Sequence, residues 1–373
     1  MAPVRVYCID NLNDLEPFRD AWERLADGVV FRRWTWFATW WRHYGQGRPE
    51  RTLHVLIAAN DDATPDTVQA ILPAYFESTW TQGRVLRLAG DGEVCSDHLG
   101  LLADPATQAE SAAAMAREIS SDPHWDLLEF TAIDEGDVAT QRLLDELAES
   151  DCMVSRTPTD RCWAIDLPPT WEEFLALQSK SHRKQLRQLE RRVVDTPRAS
   201  WQVVASGAEF GDAWSTLVDL HQRRRAALGE PGCFASRAWA AFHWDVAQQL
   251  LAEGNLRLAT LWLDGGPIAA EYQFAGSDTI WAYQGGIDPT RLADEPGQLA
   301  TLRSIQRAIE EGRRRFDFLR GDEPYKAHWR ATPTHAYLLS AVPNRLWPRL
   351  RRGAYSGAKS FHHATRQVAG FFS

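Results

Sequence analysis

Apolar and polar positions in the first half of the chain recur with the periods of strands and helices. Residues 4–9 alternate as a strand does, and apolar residues between positions 15 and 25 recur at the spacing of one helical face. The other segments predicted in this half are a helix over 34–44, strands over 52–59, 68–76 and 84–89, a helix over 106–120, a strand over 125–133 and a helix over 137–150. This alternation predicts a mixed α/β domain.

The second half repeats this order of elements. An extended stretch over 152–169 ends at Thr170, which has the spacing of a capping box with Glu173 and therefore predicts a helix start. The elements predicted next are a basic amphipathic helix over 179–193, a strand over 200–205, helices over 207–228 and 236–253, strands over 255–263, 267–275 and 279–287, a helix after Pro296-Gly297 that stops at Gly312, and a strand over 314–321. Each half thus has one strand, two helices, three strands, a helix and another strand.

Length and composition fit two domains. A chain of 373 residues exceeds what one hydrophobic core usually supports, and an apolar content of 44% is enough to fill two cores. We predict an N-terminal domain over 1–165, a C-terminal domain over 166–344 and a basic tail over 345–373. The 17 tryptophans fit core packing, the simpler interpretation, or a cleft for an extended apolar ligand.

The charge of the chain is uneven. Its net charge is −9, yet residues 324–373 contain eight lysines and arginines and no acidic residue. An acidic body with a basic end disfavours nucleic acid as a partner and favours phosphate groups or an anionic membrane surface. A solvated helix explains the basic tail equally well. The basic helix over 179–193 could bind a tRNA, a carrier protein or lipid phosphate, although a solvated face is the more usual interpretation of such a charge run.

The five cysteines are scattered, without CxxC or Cys/His spacing, which argues against a disulfide framework and a zinc site. The first residues lack a basic segment followed by an apolar one, and no uncharged apolar run reaches about 18 residues. These patterns predict a cytoplasmic protein with reduced thiols and no metal. Peripheral contact with the inner membrane face through the basic tail is a further option.

Four segments of the second half carry a resemblance to a known family. They are LDGGPIAAEYQF at 263–274, YQGGIDPT at 283–290, EPGQLATLRSIQRAIEEG at 295–312 and FDFLRGDEPYKAHW at 316–329. The last is the most specific, because an Asp-Phe strand followed by Gly-Asp-Glu-x-Tyr-Lys and a tryptophan is hard to obtain by chance. The chain resembles the CelD/BcsL-type acetyltransferases, which are related to the FemAB peptidyltransferases and belong to the GNAT superfamily.

The resemblance implies tandem GNAT-like acyltransferase domains of the α/β (α+β) class, with mixed central sheets flanked by helices. It implies acyl transfer from a thioester, an acyl-CoA or an acyl carrier protein, to an amine or hydroxyl of a small, sugar or lipid acceptor, without a tightly bound cofactor. The chemistry is expected in the second domain, and the first is expected to be degenerate. Two alternatives stay open: a FemAB-type aminoacyl-tRNA-dependent transferase, and a non-catalytic GNAT-fold binding or scaffold protein.

Candidates for gripping the phosphates of the donor stand where a helix begins. Pro296, Gly297 and Gln298 offer free N–H groups at the positive end of the helix dipole, and Arg291 adds a candidate bidentate contact. This segment has one glycine where acetyl-CoA enzymes of the superfamily often have two or three. An ordinary helix start with Pro at its first position is therefore an equal interpretation.

Candidates for holding the thioester lie on the strand over 279–287. Strand alternation puts Trp281, Tyr283 and Gly285 on one face, and the resemblance implies that a main-chain N–H of this strand polarises the thioester carbonyl. The paired glycines Gly285 and Gly286 suit a bulge or a close ligand contact. Close packing of a helix is the structural alternative.

Carboxylates inside apolar strands are candidates for proton transfer. Glu271 lies within one apolar strand and Asp317 lies between two phenylalanines of another, so burial would raise the pKa of either. Glu271 is the candidate general base. Asp317 alternatively anchors Arg320 or Lys326, since buried carboxylates are more often structural partners than bases.

The resemblance implies catalytic roles for three further residues, and one histidine is a second-tier catalytic candidate. It implies that Tyr325 protonates the leaving thiolate, with Lys326 at an oxyanion or phosphate and Asp322 beside them. A turn after Gly321 that binds the acceptor is the alternative for Tyr325. His221 lies on a helix before a flexible segment, ALGEPGCF, that suits a lid over the acceptor. A hydrogen-bonded packing histidine is the alternative for His221.

Overall fold

The computed structural model describes residues 4–60 and 62–353, and these residues form two compact units. Unit 1 consists of the chain up to residue 159 together with the segment after residue 335, and unit 2 consists of residues 160–335. The domain boundaries at 165/166 and 344/345 stay predictions. Most of the basic tail, residues 354–373, lies outside the described residues.

Unit 1 follows the predicted order of elements. In chain order these are β1 (Val4–Ile9), α1 (Leu12–Leu15), α2 (Arg19–Leu25), α3 (Trp34–Trp40), β2 (Arg51–Leu53), β3 (Val55–Asn60), β4 (Val68–Leu72), β5 (Ala74–Thr79), β6 (Gly83–Leu88), β7 (Leu102–Ala103), α4 (Gln108–Ser121), β8 (Leu127–Asp134) and α5 (Val138–Glu149). Short 3₁₀ turns precede α2 and α3, and a π-helical segment, Trp41–Gly45, follows α3.

Unit 2 follows the predicted order up to its strand after α10, and two elements beyond that strand, α11 and β15, were not individually predicted. Its elements are β9 (Met153–Asp166), α6 (Trp171–Leu177), α7 (Lys180–Leu189), β10 (Ala199–Val203), α8 (Gly207–Ala227), α9 (Arg237–Ala252), β11 (Leu256–Leu263), β12 (Gly266–Ala275), β13 (Thr279–Ile287), α10 (Pro296–Glu310), β14 (Arg315–Arg320), α11 (Pro324–His328) and β15 (Thr332–Val342). The first residues of β9 and the last of β15 belong to unit 1. A π-helical segment, Glu190–Val194, continues α7.

The strands of unit 1 form two groups, with the orders β1-β3-β4-β7 and β15-β8-β6-β5-β2. Pro73 separates β4 from β5, since proline cannot donate to a strand ladder. His54 separates β2 from β3, so two predicted strands are each split in two. Strands β6 and β8 are parallel and pair Val85 and Leu86 with Leu127 and Leu128. Residues 336–341 of β15 pair antiparallel with β8.

The strands of unit 2 have the order β10-β11-β12-β13-β14-β9. Neighbouring strands are antiparallel except β13 and β14, which are parallel. Residues Cys162 to Asp166 of β9 pair with β14 on its other side. The single parallel pair marks the place where the chain leaves the meander, crosses over through α10 and returns to the sheet.

Helices cover both faces of the sheet of unit 2. Helices α6, α7 and α10 share one buried core with the strands, and its members on α7 and its continuation include Leu186, Leu189 and Val193. On the other face, Trp214 of α8 packs edge-on against Tyr272 of β12, with ring centroids 5.3 Å apart. The predicted fold class, mixed sheets flanked by helices, is confirmed.

Local signals of the sequence fix where the helices begin. The backbone N–H of Glu173 donates to the Thr170 hydroxyl at 3.2 Å, as the capping-box spacing predicts. Helix α10 begins with Pro296, as predicted. The largest fully buried side chains include Trp22, Trp36 and Trp40, which favours core packing for much of the tryptophan content.

Candidate active site

A gap opens in unit 2 where its two parallel strands separate. Strands β13 and β14 pair only over Thr279–Trp281 and Arg315–Asp317, although both continue further. A cavity of about 640 Å³ lies at this gap. Its lining residues are Arg225, Glu271, Gln273, Ala282, Tyr283, Gln284, Gly285, Gly297, Gln298, Thr301, Phe316, Phe318, Arg320, Glu323, Tyr325, Lys326 and Trp329. The cavity therefore joins the N-terminal turn of α10 to the end of β14.

A bulge in β13 decides which side chains face this cavity. The register of β12 and β13 shifts between Tyr272 and Gln273, which leaves Tyr283 as an extra residue. The bulge makes the predicted common face of Trp281, Tyr283 and Gly285 wrong for Gly285. A Cβ on Gly285 would lie 3.5 Å from the Glu271 carboxylate, on the cavity side.

The two glycines of β13 have different environments. A Cβ on Gly286 would lie 2.4 Å from the backbone nitrogen of His221, so this glycine lets α8 approach the sheet. Gly285 instead lines the cavity. Helix packing thus explains Gly286, and close approach to a ligand stays available to Gly285.

A ring of hydrogen bonds surrounds the peptide of Gly285. Its N–H donates to the Gln284 side-chain oxygen at 3.1 Å, and the Gln284 amide donates to the Cys233 sulfur at 3.5 Å. The Nε2 atom of His221 lies 3.4 Å from that sulfur, and Nδ1 lies 2.9 Å from the Gly285 carbonyl oxygen. Because a carbonyl only accepts, Nδ1 of His221 carries the hydrogen and Nε2 accepts from the thiol.

Burial keeps the two titratable side chains of this ring, those of His221 and Cys233, uncharged. It lowers the pKa of His221 and raises the pKa of the Cys233 thiol to about 12. His221 is therefore placed as a hydrogen-bonded packing histidine that ties the segment around Cys233 to β13. This position matches the second of the two interpretations that the sequence leaves open.

Glu271 is the carboxylate of β12 that faces the cavity. Burial raises its pKa to about 7, and the Gln273 side-chain amide, which donates at 3.3 Å, only partly opposes this shift. The same amide also donates to the Ser304 hydroxyl of α10 at 2.8 Å. A carboxyl with a pKa near neutrality and a neutral partner is suited to accept a proton at physiological pH.

Tyr325 stands across the cavity on α11. Its ring packs edge-on against Phe318, with centroids 5.8 Å apart, and about half of the residue, 47%, stays exposed. Crowding by the protein, together with the charges of Glu323 and Glu271, raises the pKa of the hydroxyl above its usual value. Tyr325 is therefore protonated at neutral pH and is able to donate.

Lys326 is buried, and its ammonium group is bound by the end of β14. It donates to the backbone oxygens of Leu319, Arg320 and Gly321 at 3.2, 2.6 and 3.1 Å. Glu323 pairs with it at 2.9 Å. These four acceptors share the three hydrogens of the ammonium group, so Lys326 fixes the turn that carries Tyr325.

Asp317 and Asp322 lie outside the cavity lining. Asp317 is buried and accepts from the backbone N–H of Leu319 at 2.8 Å, where the chain takes a positive φ of 59°. Asp322 accepts from Arg161 at 3.0 Å and from Trp163 at 2.9 Å, and Arg161 lowers the pKa of this carboxyl. Both carboxylates hold the β14 strand and its turn.

A buried histidine that the sequence did not single out stands behind Tyr283. The Tyr283 hydroxyl lies 2.9 Å from Nε2 of His243, and Nδ1 of His243 lies 3.2 Å from the Tyr272 hydroxyl. Burial lowers the pKa of His243 well below its usual value. In the sequence, the feature that could have indicated this Tyr283–His243–Tyr272 triad is a single histidine within the apolar helix AWAAFHWDVA.

The residues predicted to bind phosphate at the start of α10 differ in whether they line the cavity. Gly297 and Gln298 line the cavity, whereas Pro296 is buried in the core. The capping residue is Glu295, with φ 55°, and its carboxylate accepts from Gln185 at 2.9 Å. The Glu295 side chain makes no capping hydrogen bond to the first turn of α10, and its carboxylate also pairs with Arg192 at 3.2 Å.

Arg291 lies away from the cavity lining. It pairs with Asp294 at 2.6 Å and with Asp264 at 3.2 Å. Within residues 4–60 and 62–353, no group of three or more His, Cys, Asp or Glu side chains is placed to hold a metal ion. In the same ranges, no helix combines the length and apolar character needed to cross a bilayer.

Residues 180–327 match the protein family described as Acetyltransferase (GNAT) domain. This segment contains the helices before the meander, the meander itself, α10, β14 and most of the cavity lining. Residues 180–327, which lie within unit 2, are therefore similar to GNAT acetyltransferase domains.

Solved structures share the fold at low sequence identity. FemX has a TM-score of 0.61 at 10% identity, over 89% of this chain and 96% of that one. A protein of unknown function from Bacteroides thetaiotaomicron has a TM-score of 0.54 at 8% identity, over 90% and 99% of the two chains. The C-terminal domain of a protein named as a lysylphosphatidylglycerol synthetase from Agrobacterium fabrum has a TM-score of 0.52 at 14% identity, over 92% and 96%.

At these identities the likeness establishes the fold and leaves the substrates open. No curated protein shows a significant sequence match to the chain. The finer assignment, to the CelD/BcsL type, stays a prediction.

Proposed function

We propose that unit 2 transfers an acyl group from a thioester to an amine or hydroxyl bound in the cavity between β13 and β14. The observation that carries this proposal is the meeting of an open strand gap, the Gly285 peptide and a carboxylate whose pKa is about 7. Acyl transfer needs a base, a donor to the developing oxyanion and a proton for the leaving thiolate.

Glu271 acts as the base. Its carboxylate accepts a proton from the acceptor amine or hydroxyl as the nitrogen or oxygen forms a bond to the thioester carbon. The π-bond electrons move to the carbonyl oxygen, which becomes an oxyanion. General-base catalysis of this kind contributes about 10²–10⁴ in rate.

The N–H of Gly285 donates to that oxyanion. In the structure this N–H is bonded to the Gln284 side chain at 3.1 Å, so an oxygen acceptor already occupies the position. A thioester oxygen that displaces the amide oxygen of Gln284 exchanges one hydrogen bond for another. The exchange favours the transition state, since a charged acceptor binds more strongly than a neutral one.

Tyr325 completes the transfer. When the tetrahedral intermediate collapses, the C–S bond breaks and its electron pair leaves with sulfur. The Tyr325 hydroxyl donates its proton to that thiolate and becomes a phenolate. The proton that Glu271 took from the acceptor then passes through solvent to the Tyr325 phenolate, so that both side chains return to their starting states. Lys326, Asp317 and Asp322 act as positioning residues, because they hold the turn that presents Tyr325.

The donor is an acyl-CoA or an acyl carrier protein, whose pantetheine arm enters past Gly297 and Gln298. Tyr283 lines the part of the cavity that this arm enters, and its hydrogen bond to His243 fixes the orientation of its ring. The acceptor approaches from the side of Arg225. In this proposal residues 1–165 form the degenerate domain and residues 166–344 the catalytic one.

A contact with anionic membrane is a further part of the proposal. The helical residues 346–353 expose Leu346, Trp347 and Leu350 at 70%, 71% and 54%. Exposed apolar side chains next to arginines are typical of helices that lie in a membrane interface. Binding to vesicles containing anionic lipid should fade as salt rises, and equal binding to neutral vesicles would contradict it.

Release of free thiol tests the proposed activity directly. The full chain is incubated with octanoyl-CoA or an octanoyl-charged acyl carrier protein and a panel of amines, amino sugars and amino-lipids. We expect acceptor-dependent thiol release, with the acylated product identified by mass spectrometry. Absence of release with every donor and acceptor, from protein that is folded by circular dichroism, would favour the non-catalytic binding protein instead.

A further inference from the structure

One side of α7 and its π-helical continuation carries a line of positive charge. Lys180, Lys184, Arg187 and Arg191 are spaced at i, i+4, i+7 and i+11, and all four are exposed. They form the basic stripe, which extends over about three helical turns, on the order of 16 Å. The opposite side of the same helix is buried in the core of unit 2.

The uniform sign of the basic stripe is unfavourable for the helix itself. Like charges at i, i+4 repel, and cations in the first turn oppose the helix dipole, where α7 has no acidic residue. Arg187 pairs with Glu172 at 2.7 Å. In the part of the chain that the structure describes, Lys180, Lys184 and Arg191 have no acidic partner within salt-bridge distance. A helix that served solubility alone would mix both signs.

The flank of this helix contacts the donor side of the cavity. Gln185 donates to the Glu295 carboxylate at 2.9 Å, and Arg192 pairs with the same carboxylate at 3.2 Å. Glu295 caps α10, whose first turn places Gly297 and Gln298 in the cavity lining. The basic stripe therefore lies on the helix that borders the entrance used by the pantetheine arm.

The chemistry of this entrance favours a protein donor over a free nucleotide. The exposed positive charge of α7 and its continuation follows a line on the order of 16 Å, which is longer than a diphosphate. Leu177, 58% exposed, lies three residues before the stripe and supplies an apolar contact. RNA fits less well, because α7 presents no exposed aromatic side chain for base stacking.

We propose that the basic stripe docks an acidic acyl carrier protein, so that its phosphopantetheine arm delivers the acyl thioester to the gap between β13 and β14. The inference rests on the proposed function of that gap. Charge complementarity of this kind raises the association rate and sets the orientation of the partner.

Equilibrium binding of a fluorescently labelled, octanoyl-charged acyl carrier protein tests the docking surface. The test variant of the full chain is Lys184→Glu/Arg191→Glu, and the matched control is Arg117→Glu/Arg237→Glu, which changes the net charge equally at two exposed arginines elsewhere. We expect the Kd of the test variant to rise at least about tenfold, with a weaker dependence on salt. The control should bind like wild type.

Other results would overturn the inference in distinguishable ways. Equal weakening in both variants would mean that net charge alone matters. An equal rise in the KM for octanoyl-CoA would assign the stripe to nucleotide phosphates, and tighter binding of transfer RNA than of carrier protein would assign it to RNA. Thiol release from octanoyl-CoA without any carrier binding would sink the docking surface alone, whereas no release from either donor would sink the proposed function too.

Discussion

Each unit of this protein contains a parallel strand pair with a short region of contact, and beyond that region the two pairs differ. In unit 2, β13 and β14 separate around a cavity of about 640 Å³. In unit 1, Leu99 bridges to Ile133 of β8 beyond the pairing of β6 with β8. The space beside it, lined by Phe31 and Phe37 among others, is about 10 Å³. A segment of the chain fills in one unit the space that is open in the other.

The polar groups near the two gaps differ as well. In unit 1, Glu77 pairs with Arg51 and Arg87 at 2.8 and 2.9 Å, and Glu129 pairs with Arg87 at 2.8 Å. In unit 2, the partner of Glu271 is the neutral amide of Gln273. The Glu77 and Glu129 carboxylates are thus ion-paired with arginines, whereas burial beside a neutral amide raises the pKa of Glu271 to about 7. The two units share a parallel strand pair but differ in the open gap and in the partners of these glutamates.

Replacing the carboxylate that distinguishes unit 2 should have the largest effect. For Glu271→Gln we expect thiol release to fall by about 10²–10⁴, because the base is lost while the shape of the cavity is kept. In wild type the rate should rise as pH increases through about 7, the pKa of Glu271, and this limb should vanish in the variant. Initial rates from pH 5.5 to 9 check both expectations, with Glu110→Gln on the surface of unit 1 as the control.

The same variant has a stability readout that needs no substrate. The native carboxyl keeps its proton up to about pH 7, whereas its ordinary value is 4.5, so wild type should lose stability as pH rises between these values. Glutamine does not titrate. The Tm of Glu271→Gln relative to wild type should therefore be higher at pH 8 than at pH 4.5, and a constant difference would contradict the raised pKa.

Removing the side chain that fills the gap of unit 1 should cost stability instead of activity. Leu99 is 4% exposed, and Leu99→Ala should lower the free energy of unfolding by about 2–5 kcal/mol. Urea unfolding measures this loss, and Leu228→Ala, at a leucine that is 50% exposed, is the control. Increased thiol release from Leu99→Ala would argue that the filled gap is a blocked active site.

Loss of the Tyr325 hydroxyl should have a moderate effect that depends on the donor. For Tyr325→Phe we expect about a 10- to 100-fold lower rate with alkyl thioesters, because the leaving thiolate is no longer protonated. The ring contact with Phe318 is retained. An aryl thioester, whose thiolate leaves without a proton, should be affected much less; an equal loss with both donors would make Tyr325 a positioning residue.

The hydrogen-bond ring around Gly285 should give the smallest effect. Cys233→Ala removes contacts to His221 and Gln284, each worth about 0.5–1.5 kcal/mol. We expect the KM for the thioester to rise while kcat and the pH profile stay close to wild type, and Cys233→Ser should recover part of the loss. A changed pH profile would implicate His221 in proton transfer.

The sequence predicts most elements of both units because their apolar residues recur with a local period, whereas β7, α11 and β15 were not predicted. The alternation of 255–263, 267–275 and 279–287 is visible without any partner strand, and so are Thr170 with Glu173 and the start of α10 at Pro296. Glu271 is also visible, since a single carboxylate interrupts an apolar strand. These signals lie within a few residues of the feature that they predict.

The features that the sequence does not predict depend on residues that are distant along the chain. The bulge at Tyr283 reflects pairing between β12 and β13, and it turns Gly285 toward Glu271. The burial of Lys326 depends on the path of the β14 backbone, and the filling of the first gap depends on Leu99. His243 is placed behind Tyr283 only by the packing of α9, which no local pattern describes.

Strand β15 has a consequence for how the molecule is made. Its residues 336–341 pair with β8, so an element of unit 1 lies beyond the last residue of unit 2 in the chain. As synthesis proceeds from the N-terminus, the ribosome must complete the whole of unit 2 before β8 acquires this neighbour. A nascent chain that stops near residue 159 would leave an edge of β8 exposed to aggregation.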